Sequence, residues 1–337
     1  MFVPASFTTA LLLTILCTFC WGSFANTFKL TKNYRFELYY WDYGLGIFLV
    51  SLAYAFTLGS MGGGLFSFLP NLRQADSIFL FYAALGGFIF NIANVLLVAG
   101  IEMVGLAVAF PLSIGIALVE GTALSYLIHP QGSARLLAAG VLMALVAVVF
   151  IGMAYATRGA ASAVSSRKGT MVCLVSGLLM GVFAPLITKA TQGSHPDASL
   201  LVPIGALSPY TAAVLMTFGA FLCCFVFNPF LMRKPLAGAP VSISGYFSAP
   251  AGYHALGLLG GAVWGTGTVF NFVAARFVGL PVSYAIGQAS PMIATLWGVL
   301  AWHEFRGARR KSWLYLAAMF ISYMLALALI ALAYRAG

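Results

Sequence analysis

Charge is what this chain has least of: Asp, Glu, Lys and Arg make up 7% of its 337 residues. Soluble domains carry about 25%, so a surface solvated all round is excluded. The acids number seven, too few for an acidic interface or a carboxylate-rich cation site. Cysteine is scarce as well. Cys17, Cys20, Cys173, Cys223 and Cys224 all lie in apolar runs, which excludes a disulfide framework and suits small packing side chains. Clustered metal ligands, a nucleophile arrangement and a phosphate-cradling glycine loop are lacking at motif spacing. No cofactor, no metal and no enzyme activity are therefore expected. Neither a ring of like charges nor a carbonyl-filter motif points to a channel.

Apolar sequence is abundant. Hydrophobic residues make up 62% of the chain, in runs of about 20, the length that crosses a hydrocarbon core of roughly 30 Å. The windows predict an all-α membrane protein with ten transmembrane helices. They fall near 6–28, 40–59, 78–100, 104–128, 134–156, 169–190, 209–232, 253–275, 279–302 and 312–335. The first run lacks a basic n-region and a clear cleavage site, so it reads as a retained helix. The net charge of +10 reflects basic residues at helix ends, not a nucleic-acid partner. Twelve Lys and Arg fall in loops after odd-numbered spans: Lys29, Lys32, Arg35, Arg158, Arg167, Lys168, Arg233, Lys234, Arg306, Arg309, Arg310 and Lys311. Five, namely Arg73, Arg135, Lys189, Arg276 and Arg335, fall after even-numbered spans or at the C-terminus. The positive-inside rule then predicts non-cytoplasmic termini in an inner or plasma membrane.

Two stretches 174 residues apart align without a gap. "GGFIFNIANVLLVAGIEMVGLAVAF" begins at Gly86 and "GGAVWGTGTVFNFVAARFVGLPVSY" at Gly260, and His129 then falls on His303. "WGSFANTFK" (21–29) likewise resembles "MGVFAPLIT" (180–188). A duplicated unit of five spans follows. Because five is odd, the second copy enters the membrane inverted. Residues 1–158 form the first five-helix repeat, 169–337 the second, and 159–168 a short connecting loop. Inverted repeats are the architecture of secondary transporters, with the site near mid-membrane between the halves.

Ten spans in this arrangement, with "CWGSFANTFKLTKNYRFELYYWDYGLGI" (20–47) and "PLSIGIALVEG" (111–121), resemble the drug/metabolite transporter superfamily. Within it the chain is similar to the ureide permease branch, near the glucose/ribose and rhamnose porters. That resemblance spans essentially the whole chain. It implies uptake of allantoin, uracil, xanthine and related oxo-heterocycles with protons. Plant members carry a long central loop with a nucleotide-binding-like motif. Here "ATRGAASAVSSRK" (156–168) takes its place, so no nucleotide role carries over. The alternatives are a sugar:proton symporter or a small-molecule exporter of the same superfamily.

The polar residues inside apolar helices are the candidate site. Intramembrane charge is costly and usually faces a bundle interior or a cavity. Glu120, in span four, is the candidate proton-coupling group, because desolvation favours its neutral form. Its other reading is a helix-end acid paired with a base. Asn91 and Asn94 share a face of span three, and Trp264, Thr268 and Asn271 share one of span eight. Asn94 and Thr268 are repeat equivalents. Amides and a hydroxyl can meet the alternating N–H and C=O edge of an oxo-heterocycle, and an indole can stack on its plane. Interhelical hydrogen bonding is the competing role for Asn and Thr. Gln288 in "YAIGQASPM", with Pro291 freeing a backbone carbonyl, and Trp21 and Asn26 in span one complete the substrate-binding set. Asp42, among Tyr39, Tyr40, Trp41 and Tyr43, reads as part of an interfacial aromatic belt. The expected partners are a small-molecule substrate, a proton and the lipid bilayer.

Overall fold

The computed structural model describes residues 1–32, 34–158, 167–192, 202–236 and 238–335. Of the connecting loop expected at 159–168, residues 159–166 lie outside these. Every regular element among the described residues is helical. In lipid no water satisfies backbone N–H and C=O groups, so helices carry their hydrogen bonds internally. In chain order they are α1 (Phe7–Ser23), α2 (Ala25–Lys29), α3 (Phe36–Phe56), α4 (Phe68–Gln74), α5 (Ser77–Val104) and α6 (Leu106–Ala109). A π-helical turn (Phe110–Ile114) leads into α7 (Gly115–Ile128), followed by α8 (Ala134–Thr157), α9 (Arg167–Gln192) and α10 (Pro209–Arg233). The chain ends with α11 (Ser244–Phe247), α12 (Ala251–Val278), α13 (Leu280–Gly287), α14 (Ser290–Leu300) and α15 (Arg310–Arg335).

Nine segments among the described residues are long and apolar enough to cross a membrane. They correspond to expected spans one to eight and ten. The stretch expected as the ninth is not one continuous helix but the pair α13 and α14. Its break has a local cause: Pro291 has no N–H to give the carbonyl of Gly287. The backbone flattens there, with ψ near zero at Gln288 (−2°) and Ala289 (1°). Span four is also irregular, since Pro111 lies in the π turn that separates α6 from α7.

Glycine sets how closely the helices approach. Gly46 of α3 faces the Leu258 carbonyl of α12, and Gly261 of α12 faces that of Tyr43. Gly87 of α5 faces the Met216 carbonyl of α10, and Gly219 of α10 faces that of Ala84. A methyl group at any of the four would overlap backbone. Close approach through small residues is how helices associate where lipid offers no hydrophobic drive. Two positive-φ glycines, Gly105 (74°) and Gly279 (81°), end α5 and α12, both 28 residues long.

The main apolar core lies among α1, α3, α5, α9, α10 and α12, and a second fills the seam between α8 and α15. Around them, large apolar side chains such as Leu12, Phe19, Leu142, Phe225 and Met324 face outward, as expected of a lipid-facing surface.

Candidate substrate cavity

A cavity of about 320 Å³ opens inside the main core, within the range of roughly 300–1,000 Å³ usual for small-molecule sites. Segments of α1–α3, α5, the π turn, α9, α12 and the α13–α14 break wall it. Ten aromatic side chains line it: Trp21, Phe24, Phe28, Phe36, Tyr39, Tyr43, Phe90, Phe110, Phe183 and Trp264. The polar residues lining it, tyrosines apart, are Asn94, Gln288 and Ser290, and the Tyr39 hydroxyl is engaged with Thr27 Oγ1 at 2.7 Å. None of the lining residues is charged.

Trp264 is the centre of the wall. Its indole stacks on Phe90 with ring centres 4.7 Å apart and on Trp21 at 5.9 Å, with interplanar angles of 26° and 15°. Thr268 holds that arrangement from behind. Its hydroxyl accepts from Trp21 Nε1 at 3.1 Å and donates to the Trp264 carbonyl at 3.2 Å. Gly267 and Gly287 leave room for the Trp21 ring, since a Cβ on either would lie within 3 Å of it. Asn94 Nδ2 donates to Tyr40 Oη at 3.0 Å, which leaves its carbonyl oxygen for the cavity. The Tyr43 hydroxyl is buried without a hydrogen-bond partner in the protein.

Of the sequence-predicted residues, Trp21, Asn94, Trp264 and Gln288 come together on this cavity. The others do not line it. Asn91 points its amide at Cys224 Sγ of α10, 3.8 Å away. Asn271 is clamped to Ser283 by two hydrogen bonds of 2.9 and 2.8 Å across the α12–α13 turn. Asn26 donates to the Ser23 carbonyl and accepts from Trp302 Nε1 at 2.6 Å. Glu120 is half-buried on the α7–α9 seam. A Cβ on Gly181 would sit 2.6 Å from its Oε2, an oxygen that is buried without a partner. It neither points wholly to lipid nor joins the cavity lining.

Sequence reasoning missed Phe90, Phe183, Tyr39 and Tyr43 as wall residues; their only signal was aromaticity inside an apolar run. It also left two polar clusters unassembled. Asp42, placed in a belt, is buried, and it accepts from Tyr246 Oη and pairs with His254 Nδ1, each at 2.7 Å. At the ends of α2, α8 and α14, Glu304 pairs with Lys29 and with Arg158 (3.3 Å), and Tyr155 donates to it at 2.9 Å. Burial alone would raise the Glu304 pKa. The Lys29 and Tyr155 hydrogen bonds and the two cationic charges outweigh it and hold the carboxyl below its ordinary value.

Comparison with known proteins gives this cavity a context. The ureide permease family model matches residues 39–168 and 160–333. Ureide permease 1 of Arabidopsis thaliana is 23% identical over 344 residues, covering 86% of this chain and 87% of that protein. A probable glucose uptake protein of Bacillus cereus is 23% identical over 227 residues, or 66% of this chain and 68% of its own length. One solved crystal structure superposes with a TM-score of 0.63 at 14% identity, covering 97% of this chain and 98% of its own, a likeness of fold. A multi-pass bundle around an uncharged, aromatic-walled cavity is what a permease needs, and this chain belongs to the ureide permease family, transporters of small molecules across membranes rather than enzymes.

Proposed function

We propose that the protein imports neutral, planar oxo-heterocycles such as allantoin, uracil or xanthine, coupled to protons, by alternating access between two inverted five-helix halves. The observation that carries the substrate class is the wall itself: ten aromatic side chains, two amides, one serine and no charge. Stacking suits a flat ring, and the amides suit its alternating N–H and C=O edge. A pyranose would want more hydrogen-bonding side chains than this lining offers. The glucose uptake proteins among its relatives keep the sugar reading in the same assay.

Support for the doubled arrangement comes from equivalent positions. Helices α5 and α12 begin and end 174 residues apart, each closed by a positive-φ glycine. Phe90 and Trp264, also 174 apart, are the rings that stack on each other. The glycine seams repeat: Gly46 over Leu258 matches Gly219 over Ala84, and Gly261 over Tyr43 matches Gly87 over Met216. Packing of α5 on α9 has its counterpart in α12 on α1, and α3 on α12 in α10 on α5. In this reading α13 and α14 together make the ninth of ten crossings, a broken helix at the binding site as in other transporters. The termini lie outside, and the cavity lining reaches helix ends at Phe28, Phe36 and Ile101, on the cytoplasmic side.

Glu120 is the coupling group in this scheme. A proton moving down 100 mV supplies about 2.3 kcal/mol. The test is flux into proteoliposomes with labelled allantoin, uracil, xanthine and glucose under an imposed proton gradient. Saturable, gradient-driven heterocycle uptake is expected; uptake of glucose alone would replace the substrate, and unsaturable flux the mechanism. Glu120→Gln is expected to lose accumulation against a gradient while keeping substrate exchange.

A further inference from the structure

Glu120 poses a problem for that scheme, because it does not touch the cavity where substrate would bind. Equivalent positions resolve it. By the 174-residue offset its counterpart is Ala294, and Ala294 does line the cavity. The pattern holds elsewhere. Ser290 and Pro291 of the lining correspond to Ile116 and Ala117, and Val98 and Ile101 to Phe272 and Ala275, none of which lines it, whereas Gln288 and its counterpart Ile114 both do. At the other end of the bundle, Ile187, Phe272, Ala275 and Leu280 surround a second space of about 10 Å³. Ile187 is the counterpart of Phe28 by the 21–29 and 180–188 match. The small space thus sits where the mouth of the open cavity would fall if the halves exchanged shapes.

We infer that Glu120, Thr268 and Asn271 line a second, oppositely facing chamber, shut in this structure, and that Glu120 meets substrate or protons only from that side. The inference rests on the inverted-repeat reading above. Gly22 and Gly181 give it a hinge-like symmetry. Gly22 of α1 packs on Ser290 and Ile293 of α14, and its counterpart Gly181 of α9 packs on Glu120 of α7. Exchange of shapes between the halves would bring the Glu120 carboxylate to the chamber wall, where Ala294 now stands. Exchange would likewise place Thr268 and Asn271 where Asn94 and Leu97 now stand on the wall. The Glu120 Oε2 without a partner on the closed seam would then gain water or ligand.

The test is the sidedness of thiol labelling. Ala294→Cys and Glu120→Cys are each exposed to a membrane-impermeant maleimide in right-side-out and inverted vesicles, with the unsubstituted chain run in parallel to subtract its own cysteines. Ile116→Cys, the counterpart of Ser290, repeats the measurement with the acid intact. Ala294→Cys is expected to react from one side, and Glu120→Cys and Ile116→Cys at least about tenfold faster from the other, as for a side exposed only in a minor state. Reaction of all three from the same side, or of the α7 pair from neither, overturns the inference. Heterocycle flux is read in parallel in vesicles of the unsubstituted chain. Its absence counts against the transport reading, while the sidedness of Glu120 labelling is decided separately.

Discussion

Removing the indole of Trp264 takes away a surface on which both Phe90 and Trp21 lean. Each aromatic pair contributes about 0.5–1.5 kcal/mol beyond its buried area. Trp264→Ala is therefore expected to weaken heterocycle binding about tenfold or more, read as lost ligand-induced stabilisation in thermal melts, with Trp264→Phe intermediate. Unchanged binding in Trp264→Ala would remove stacking from the recognition. Glu304 gives a pH prediction at the same scale. Its folded pKa lies below the ordinary carboxylate value, so its contribution is fully present above about pH 4.3 and is lost as pH falls through the depressed value. The stability difference between the native chain and Glu304→Gln should thus shrink as melts are run from pH 6 to pH 3. A difference that stays constant would mean the ion pairs with Lys29 and Arg158 are not formed. Of the residues out of place in an apolar helix, Trp21, Asn94, Trp264 and Gln288 reached the cavity, and Asn26, Asn91, Glu120, Thr268 and Asn271 did not. Depth and azimuth were not legible. Asn91 and Asn94 share a helix face to within about 60°, yet that angle sends one amide to Cys224 and the other to the wall.

At the scale of elements, the glycine seams decide which helices can lie together. Gly87 faces a carbonyl with no flexible side chain to move aside, so Gly87→Ala must shift α5 from α10. Overpacking of this kind costs about 1–3 kcal/mol, and a lower melting temperature in detergent is expected. Its counterpart Gly261→Ala should behave alike against α3. Gly252→Ala of α12, by contrast, sits in open space at an ordinary helical φ, so the contrast isolates packing. Span existence was legible because apolar runs of helix length have few other uses. The split of span nine was half legible. Pro291 announced a freed carbonyl, but hydropathy averages over the flattened turn at Gln288 and reads 279–302 as continuous. The Asp42–His254–Tyr246 cluster stayed hidden because its members come from three elements, α3, α12 and α11, with over 200 residues between Asp42 and either partner.

For the molecule as a whole, the two ends of the bundle are unlike. Lys29, Arg158, Tyr155 and Glu304 tie α2, α8 and the α14–α15 turn at one end. Under the proposed inverted repeat, the counterparts of Lys29 and Glu304 are Thr188 and Pro130, which can form no ion pair. A bundle whose ion-pair cluster at one end has no counterpart at the other should respond unequally to salt. Raising ionic strength from 10 mM to 1 M shortens the screening length from about 30 to 3 Å. The effect should be a changed ratio of Ala294→Cys to Glu120→Cys labelling rates, abolished in Glu304→Gln. A salt-independent ratio would show that the cluster does not weight one orientation over the other.

The stacked pair of Trp21 and Trp264 has a practical corollary. Two of the chain's six tryptophans stack on each other at the cavity wall, so a heterocycle bound there as proposed would perturb their excited states. Emission from the unlabelled protein becomes an optical titration of occupancy, requiring neither a dye nor a radioactive compound.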